Sequence, residues 1–207
     1  SATNMGILAA MVPLLTILLS ALVLREPPSW GGCLGGVMAL AGVLWLLGRG
    51  DIAVLANLEV APGDALMVVA ATCYALYGVM LKRWPLAISP WVMLYVQAVF
   101  AVLLLLPAYL LGPMTPIDTS NAGLILYAGI PASIITTYLW MFAIRHIGAS
   151  RASIFINLMP LFSALIAMLW LGERLGWYHL SGGALVLAGV LTAQTFRQPI
   201  RRHGEAR

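Results

Sequence analysis

The 207-residue chain is 62% hydrophobic and 9% charged, with a mean hydropathy of +0.97. Soluble domains contain about 45–50% apolar and about 25% charged residues, so this composition excludes an ordinary soluble domain and indicates a protein that crosses a membrane several times. The net charge of +4 comes from the connections and the C-terminal tail. We interpret it as a determinant of orientation in the lipid bilayer and expect no nucleic-acid partner.

Seven apolar runs are long enough to cross a bilayer, which takes about 20 residues in a helix. In chain order they fall at roughly 4–24, 31–49, 64–84, 90–111, 122–144, 152–171 and 178–196. The polar segment 50–62 separates the second run from the third, and we interpret it as the connection between two halves. The sequence therefore predicts an all-α membrane protein with seven transmembrane helices.

Lysine and arginine residues predict the orientation of these spans. Only two of them, Arg49 and Arg174, lie on one side of the predicted membrane. The other nine lie on the opposite side: Arg25, Lys82, Arg83, Arg145, Arg151, Arg197, Arg201, Arg202 and Arg207. Cytoplasmic connections are enriched in these residues. We therefore expect a multi-pass protein of the plasma membrane (bacterial inner membrane) with a cytoplasmic C-terminus.

The first 45 residues resemble the segment that lies 147 positions later in the sequence. Without a gap, 16 of the 45 positions are identical, and Pro13 aligns with Pro160 and Trp30 with Trp177. The span 152–171 is the fifth after 4–24, an odd number, so the two copies cross the membrane in opposite directions. This inverted arrangement is common in secondary transporters. The repeat predicts a 5+5 inverted-repeat fold of ten helices.

In that fold, 1–49 holds the last two helices of the first repeat and 50–62 is the inter-repeat connection. Residues 63–197 form the complete second repeat of five helices, and 198–207 are a basic cytoplasmic tail. We expect the chain to be an N-terminally truncated fragment, with three further helices before Ser1.

Motifs in chain order resemble a known family. They are Gly63-Asp64, Tyr74-Ala75-Leu76-Tyr77, Lys82-Arg83, Thr137-Tyr138-Leu139-Trp140, Gly148-Ala149, Leu171-Gly172-Glu173-Arg174 and Ala188-Gly189-Val190. Together with the repeat, they resemble the EamA-type transporters of the drug/metabolite transporter (DMT) superfamily. The resemblance implies a ten-helix fold in which the first, third and fourth helices of each repeat surround a central cavity.

No Asp, Glu, Lys, Arg or His lies in the middle of a predicted span. Such residues are costly in lipid and are usually kept there for a function. Their absence argues against an enzyme, which needs a general base or metal ligands, and we expect no metal site and no cofactor. It also argues against a proton relay and against phosphorylated substrates, whose charge calls for Arg or Lys.

Pro13 and Pro160 each fall near the midpoint of a span, at positions related by the repeat. A proline inside a helix lacks an N–H group and clashes with the carbonyl four residues earlier, here that of Ala9 or Ile156. Lipid offers these carbonyls no partner, and matched interruptions indicate a substrate site near the midplane. A kink that serves only packing or hinge motion is the alternative.

Polar side chains near three span centres are further candidates for the cavity wall. They are Ser153 and Asn157 on 152–171, which share a face with Pro160, then Ser133, Thr137 and Tyr138 on 122–144, and Tyr74 and Tyr77 on 64–84. Each group has two interpretations, contact with a substrate or a hydrogen bond to a neighbouring helix. The family resemblance favours the first.

Small residues form stripes on the spans 31–49 and 178–196, namely Gly31, Gly35, Ala39, Gly42, Gly182 and Gly189. Such faces let helices approach closely, so they predict helix packing, including a homodimer contact. Glu26 and Glu173 precede the next helix in each copy, and we expect their carboxylates to satisfy N–H groups at that helix N-terminus, with a substrate gate as the alternative.

These features predict a secondary transporter, and specifically an exporter, of small neutral, zwitterionic or amphipathic metabolites such as amino acids. It would work by alternating access, with the proline-broken helices as moving gates. The alternatives are a membrane scaffold or assembly protein without transport activity, a channel, and a DMT transporter of drugs, sugars or nucleotide sugars.

Overall fold

The computed structural model describes residues 2–57, 62–112, 118–119, 121–171, 176–196 and 198–200. Within them the chain is helical, and the one strand-like feature is an isolated antiparallel bridge between Ser29 and Pro199. The chain forms two compact units, which are described separately. The first unit comprises 1–83 and 147–207, and the second comprises 84–146.

The α-helices are α1 (Ala2–Ala10), α2 (Val12–Val23), α3 (Trp30–Leu47), α4 (Ile52–Ala56), α5 (Pro62–Arg83), α6 (Pro90–Leu111), α7 (Ala122–Tyr127), α8 (Thr136–Ile147), α9 (Ala149–Ile154), α10 (Met159–Leu171) and α11 (Trp177–Thr195). A π-helical segment, Ala128–Ile135, joins α7 to α8, and a 3₁₀ turn, Phe155–Leu158, joins α9 to α10.

Six helical segments of the described chain are long and apolar enough to cross a membrane. They are Met5–Val23, Trp30–Leu47, Pro62–Arg83, Pro90–Leu111, Ala122–Ile147 and Ala149–Trp170. The chain is thus a multi-pass membrane protein built from helices. All seven predicted spans are helical. However, α11 begins with Trp177, Tyr178 and His179, whose side chains carry polar groups, and it is not among the six segments. A seventh span therefore stays a prediction.

Both helices that carry the repeat-related prolines are interrupted just before the proline. Between α1 and α2 the helix is broken at Met11, whose N–H bonds the Leu8 carbonyl only three residues back, at 3.2 Å. Between α9 and α10 the 3₁₀ turn ends two residues before Pro160. The prediction that these prolines break their helices is confirmed, and the cause is local because each proline removes a backbone donor.

The glycine stripes of α3 and α11 pack against each other inside the first unit. A Cβ atom at Gly35 would lie 2.3 Å from the Gly189 carbonyl oxygen, and one at Gly42 would lie 2.8 Å from the Gly182 carbonyl oxygen. Any larger residue would push the two helices apart. The packing interpretation of the glycines is therefore confirmed, and the two stripes cover each other within the chain.

Most polar contacts between elements of the first unit lie at the end where α2, α5 and α11 finish. We call this the paired end, defined by Ser20, Glu26, Lys82, Ser150 and Gln194. Lys82 forms an ion pair with Glu26 at 2.7 Å, the Ser150 hydroxyl donates to that of Ser20 at 3.0 Å, and the Gln194 amide donates to the Arg151 carbonyl at 3.2 Å.

Backbone pairing closes the same end. The N–H of Trp30 bonds the carbonyl of Gln198 at 3.1 Å, and the N–H of Ile200 bonds that of Pro28 at 2.9 Å. The segment after α11 therefore pairs with the α2–α3 connection, and Arg83 donates to the carbonyl of Val23.

The prediction for Glu26 was wrong. The N-terminus of α3 is capped by Ser29, whose hydroxyl accepts from the N–H of Gly32 at 3.0 Å, because Ser29 directly precedes the helix whereas Glu26 lies further back. Glu26 pairs with Lys82 instead. Its repeat counterpart Glu173, together with Arg174 and 201–207, lies outside the described residues.

The connection 50–62 is not wholly irregular. Its first part forms the short helix α4, which Asp51 caps by accepting a hydrogen bond from the N–H of Ala53 at 2.8 Å. Residues 58–61, including Glu59, lie outside the described residues.

In the second unit, α6 continues through Pro107 as one helix. The helix that follows widens to π geometry around Pro131. Two hydroxyls bond carbonyls five residues earlier in this segment: Ser133 donates to Ala128 at 2.6 Å and Thr136 donates to Pro131 at 3.0 Å. Both hydroxyls thus bond carbonyls of the π-helical segment itself.

Candidate functional site

A cavity of about 460 Å³ lies in the first unit, between the two proline-interrupted helices. Its wall is mostly apolar and draws residues from α1, α3, the 3₁₀ turn, α10 and α11. The lining residues are Gly6, Ala9, Ala10, Leu46, Leu47, Ile156, Asn157, Met159, Pro160, Ser163, Ala164 and His179. Leu46 and Leu47 lie at the end of α3 and His179 lies in the first turn of α11, so the cavity lies toward the end opposite the paired end.

The repeat places equivalent residues on both sides of this cavity. Ala9 and Ile156 are 147 positions apart, as are Ala10 and Asn157, and all four line it. Ala9 and Ile156 are also the residues whose carbonyls the prolines displace from helical bonding. The cavity thus lies where both helices have given up regular hydrogen bonding.

Asn157 is the most unusual polar side chain in the wall. It is 1% exposed, and neither its amide nitrogen nor its amide oxygen has a hydrogen-bond partner in the described part of the chain. Leaving a buried polar group unpaired costs about 1–3 kcal/mol. An amide retained at that cost is available to a ligand or to another arrangement of the helices. Its repeat counterpart is Ala10, so only one copy carries the amide.

The other predicted residues of these two helices take different places. Pro160 lines the cavity, whereas Pro13 is fully buried and does not. Ser153 is also buried, and its hydroxyl donates to the Ser150 carbonyl at 3.0 Å.

The two tyrosines of α5 are not among the cavity residues. The buried face of α5 includes Ala71, Ala75 and Val79, and the first two pack in a cluster with Val12 of α2. Tyr74 is 41% exposed, and Tyr77 is half-buried. The helix therefore presents its small residues to α2.

Ser133, Thr137 and Tyr138 belong to the second unit. Ser133 is exposed and is bonded within its own helix. Thr137 and Tyr138 are half-buried, and the Tyr138 ring stacks on that of Trp91 with centroids 4.5 Å apart.

Two polar residues of the cavity wall were missed in the sequence, Ser163 and His179. His179 is half-buried, and among the described residues that line the cavity it is the only ionisable one. It was missed because only the centres of spans were searched for charge, and it lies in the first turn of α11. The signal was present, since a histidine directly after Trp177-Tyr178 is unusual in an otherwise apolar run.

The chemistry of the wall is that of a binding site for a molecule with both apolar and polar parts. It offers aliphatic surface, one unpaired amide, one hydroxyl and one imidazole. Within the described residues no three His, Cys, Asp or Glu side chains are grouped as metal ligands would be.

Comparison with known proteins gives a consistent result. Residues 1–48 and 61–194 match the model of the EamA-like transporter family. The chain is 30% identical over 203 residues to the uncharacterized transporter YyaM of Bacillus subtilis, covering 93% of this chain and 64% of that protein. It is 26% identical over 202 residues to a second transporter of that organism, YcxC, again with 64% of the relative covered.

A third relative carries a more specific description. A protein of Streptantibioticus cattleyicolor described as a "Probable terminal-alkyne amino-acid exporter" is 27% identical over 201 residues, which is 97% of this chain and 66% of that protein. A crystal structure with 23% sequence identity superimposes with a TM-score of 0.75 over 92% of this chain and 66% of that one, which supports the fold alone. The chain thus spans 64% of the length of its first two relatives.

Proposed function

Because the chain belongs to the EamA-like transporter family of the DMT superfamily, we propose that the whole protein is a secondary transporter that exports small neutral, zwitterionic or amphipathic metabolites, such as amino acids. The observation that carries the proposal is the cavity between two proline-interrupted helices, with the unpartnered amide of Asn157 in its wall. A substrate that brings its own donor and acceptor satisfies that amide.

The wall also supports the substrate class. Its surface is largely aliphatic and its polar groups are an amide, a hydroxyl and an imidazole, which suit an amino acid with an apolar side chain better than a phosphorylated molecule. The Streptantibioticus relative, described as a probable terminal-alkyne amino-acid exporter, is in keeping with this class.

The proposed architecture is the 5+5 inverted repeat of ten helices. Seven of these lie in the present chain, with α11 as the seventh span, in the bacterial inner membrane with a cytoplasmic C-terminus. The matched interruptions before Pro13 and Pro160, and the equivalent positions of Ala10 and Asn157 in the cavity wall, support the repeat.

Alternating access follows from the two ends of the first unit. With a cytoplasmic C-terminus, the paired end faces the cytoplasm and the cavity lies toward the opposite side. The structure then corresponds to a state closed at the cytoplasm, and release of the Lys82–Glu26 pair accompanies opening to that side. The interruptions before Pro13 and Pro160 are the hinges of this motion.

The remaining predicted residues have separate roles in the proposal. Asn157 contacts the substrate, and Ser153 supports the turn before it. Contributions from Tyr74, Tyr77, Ser133, Thr137 and Tyr138 stay predictions of the sequence, and so does a homodimer through the glycine stripes. The contact of these stripes with each other inside the chain does not support that homodimer.

The test is efflux of radiolabelled amino acids from liposomes that contain the purified whole protein. The twenty amino acids are compared for the wild type, Asn157→Ala and Tyr77→Ala, with Asn121→Ala as the matched control. Asn121 accepts a hydrogen bond from the N–H of Asp118 at 3.0 Å, belongs to the second unit and is not among the residues that line the cavity.

The proposal expects efflux of one or a few amino acids. Each hydrogen bond to a substrate is worth about 0.5–1.5 kcal/mol, so loss of two bonds in Asn157→Ala reduces efflux about 5- to 150-fold. The control variant should match the wild type. If Asn157→Ala and Tyr77→Ala both keep the wild-type rate and substrate preference, these residues do not belong to the site.

A further inference from the structure

We infer that His179 is the proton-binding group of the cavity and that its protonation is linked to substrate binding, which makes transport proton-dependent. The inference rests on the proposed transport function and goes beyond it, because it names the coupling ion. It depends on three observations: the place of His179 in the wall, the hydrogen bond made by its ring, and the groups that surround it.

The ring of His179 is held by the backbone at the start of α11. Its Nδ1 accepts a hydrogen bond from the N–H of Gly176 at 3.0 Å, while the N–H of His179 bonds the Gly176 carbonyl, also at 3.0 Å. A nitrogen that accepts from an N–H group carries no proton. The neutral ring therefore has its proton on Nε2.

Protonation changes this arrangement in a defined way. A proton taken from solvent binds Nδ1, the ring gains a full positive charge, and the N–H of Gly176 loses its acceptor. One charge-sensitive event thus removes a cap from α11 and places a cation in the cavity wall.

The surroundings of His179 contain few other charges. The lining residues from α1, α3, the 3₁₀ turn and α10 have no ionisable side chain. On its own helix, the Tyr178 ring lies 4.2 Å from the imidazole. The α3–α4 turn packs through Gly50 on Trp177 and Tyr178 and carries Arg49 and Asp51. Glu173 and Arg174 precede α11 outside the described residues.

The link to substrate follows from the shared cavity. His179 and the unpaired amide of Asn157 line the same space, so a cation on the imidazole changes the binding of any molecule with a charged or dipolar part. Linkage is reciprocal, since a substrate that favours the neutral ring releases the proton when it binds. In the proposed orientation His179 lies toward the outside, where a proton enters an exporter.

The first test is proton movement in liposomes containing the whole protein, an internal pH-sensitive dye and L-leucine as the probe. One linked proton changes affinity by at most about tenfold per pH unit. We expect the apparent affinity for leucine to change at least about threefold between pH 5.5 and 7.5, with leucine efflux accompanied by proton uptake.

The variants separate titration from capping. His179→Gln keeps an acceptor at the third helical position, where Gln commonly caps a helix, but cannot be protonated, so leucine efflux by this variant should not depend on pH and should not be accompanied by proton uptake. His179→Ala should lose both the cap and the pH dependence. His146→Gln is the matched control, because His146 lies in the second unit and bonds the Phe142 carbonyl at 2.8 Å.

The second test needs no substrate. ¹⁵N-histidine NMR of the protein in nanodiscs should show His179 neutral with its proton on Nε2 at pH 8, and protonated on both nitrogens at pH 5, together with a shift of the Gly176 amide. Leucine efflux that is independent of pH, or equally pH-dependent in His179→Gln, overturns the inference and leaves the transport proposal standing. If leucine does not move at all, the NMR titration decides, and a ring that stays neutral down to pH 5 overturns the inference.

Discussion

Replacing Asn157 by leucine should make the protein more stable and less active at once. The wild-type amide is 1% exposed and has two unpaired polar atoms, each of which has lost its hydrogen bonds to water. Leucine has the same branching at Cγ, and the adjacent cavity of about 460 Å³ leaves room for its extra bulk. The substitution therefore removes a buried polar cost without creating a void.

The magnitude follows from that cost. An unpaired buried amide costs about 1–3 kcal/mol, so Asn157→Leu should raise the free energy of unfolding by that amount. For a chain of this size 1 kcal/mol shifts the melting temperature by roughly 2–4 °C. We expect an increase of about 2–12 °C, together with a loss of amino-acid efflux of at least about tenfold.

The assay is thermal unfolding of the purified protein in nanodiscs, paired with efflux from liposomes. Asn121→Leu is the matched control, because it removes a hydrogen bond that is actually made and should lower the stability by about 0.5–1.5 kcal/mol without affecting efflux. A lower melting temperature for Asn157→Leu would mean that the amide has a structural partner. Normal efflux would mean that the substrate does not use it. Either result refutes the reasoning.

Three further predictions concern packing, the paired end and the cavity. Gly189→Ala places a Cβ 2.6 Å from the Gly35 carbonyl oxygen and should lower the free energy of unfolding by about 1–3 kcal/mol, measured by thermal unfolding. Gly123→Ala is the control and should not lower it, because a Cβ at Gly123 has no other atom within 4 Å. Equal effects of the two substitutions would contradict the packing of α3 on α11. Glu26→Gln breaks an exposed ion pair worth about 0–1 kcal/mol and should shift the conformational balance at most about fivefold toward opening at the paired end, measured by spin-label distances. The charge swap Glu26→Lys with Lys82→Glu should restore the balance. If the swapped protein behaves like Glu26→Gln, the Lys82–Glu26 ion pair does not hold the paired end closed. Ala164→Trp fills the cavity and should abolish efflux while the protein still folds, and retained efflux would place the substrate elsewhere.

The broken helices could be predicted because proline acts locally. The missing N–H of Pro13 and Pro160 disturbs the turn before each of them wherever the helix packs, and the glycine stripes likewise act through the absence of a side chain. Membrane helices are also set by composition and length, so six of the seven predicted spans agree with helices of the described chain that are long and apolar enough to cross a membrane. These properties belong to one helix or to one pair of adjoining surfaces.

The members of the cavity wall could not be predicted in the same way, because lining depends on how each helix is rotated. The face of α5 that packs inward is chosen by Ala71 and Ala75, which leaves Tyr74 largely exposed. On 122–144, the π turn around Pro131 adds residues to each turn of helix, so positions four apart no longer share a face. The spacing of Ser133 and Thr137 was read with regular α-helical geometry and missed this change.

His179 shows a third reason why the residues of the cavity wall could not be predicted from the sequence. Its place in the wall depends on the pairing of α11 with α3 along their glycines, which brings the first turn of α11 beside the end of α3. A search for charge at span centres does not detect a residue that reaches a cavity from a helix end. The lack of a hydrogen-bond partner for Asn157 could not be predicted either, because a sequence does not show whether an asparagine amide is hydrogen-bonded.

The most direct test of the central claim uses a cysteine at Ser163, which lines the cavity, with Cys33 and Cys73 replaced by alanine. A membrane-impermeant thiol reagent is added to each side of sealed vesicles that contain the whole protein, with and without L-leucine. Alternating access to this cavity predicts labelling from both sides and at least about threefold slower labelling with leucine present. Labelling from neither side, or at a rate that leucine does not change while leucine is transported, would contradict the account.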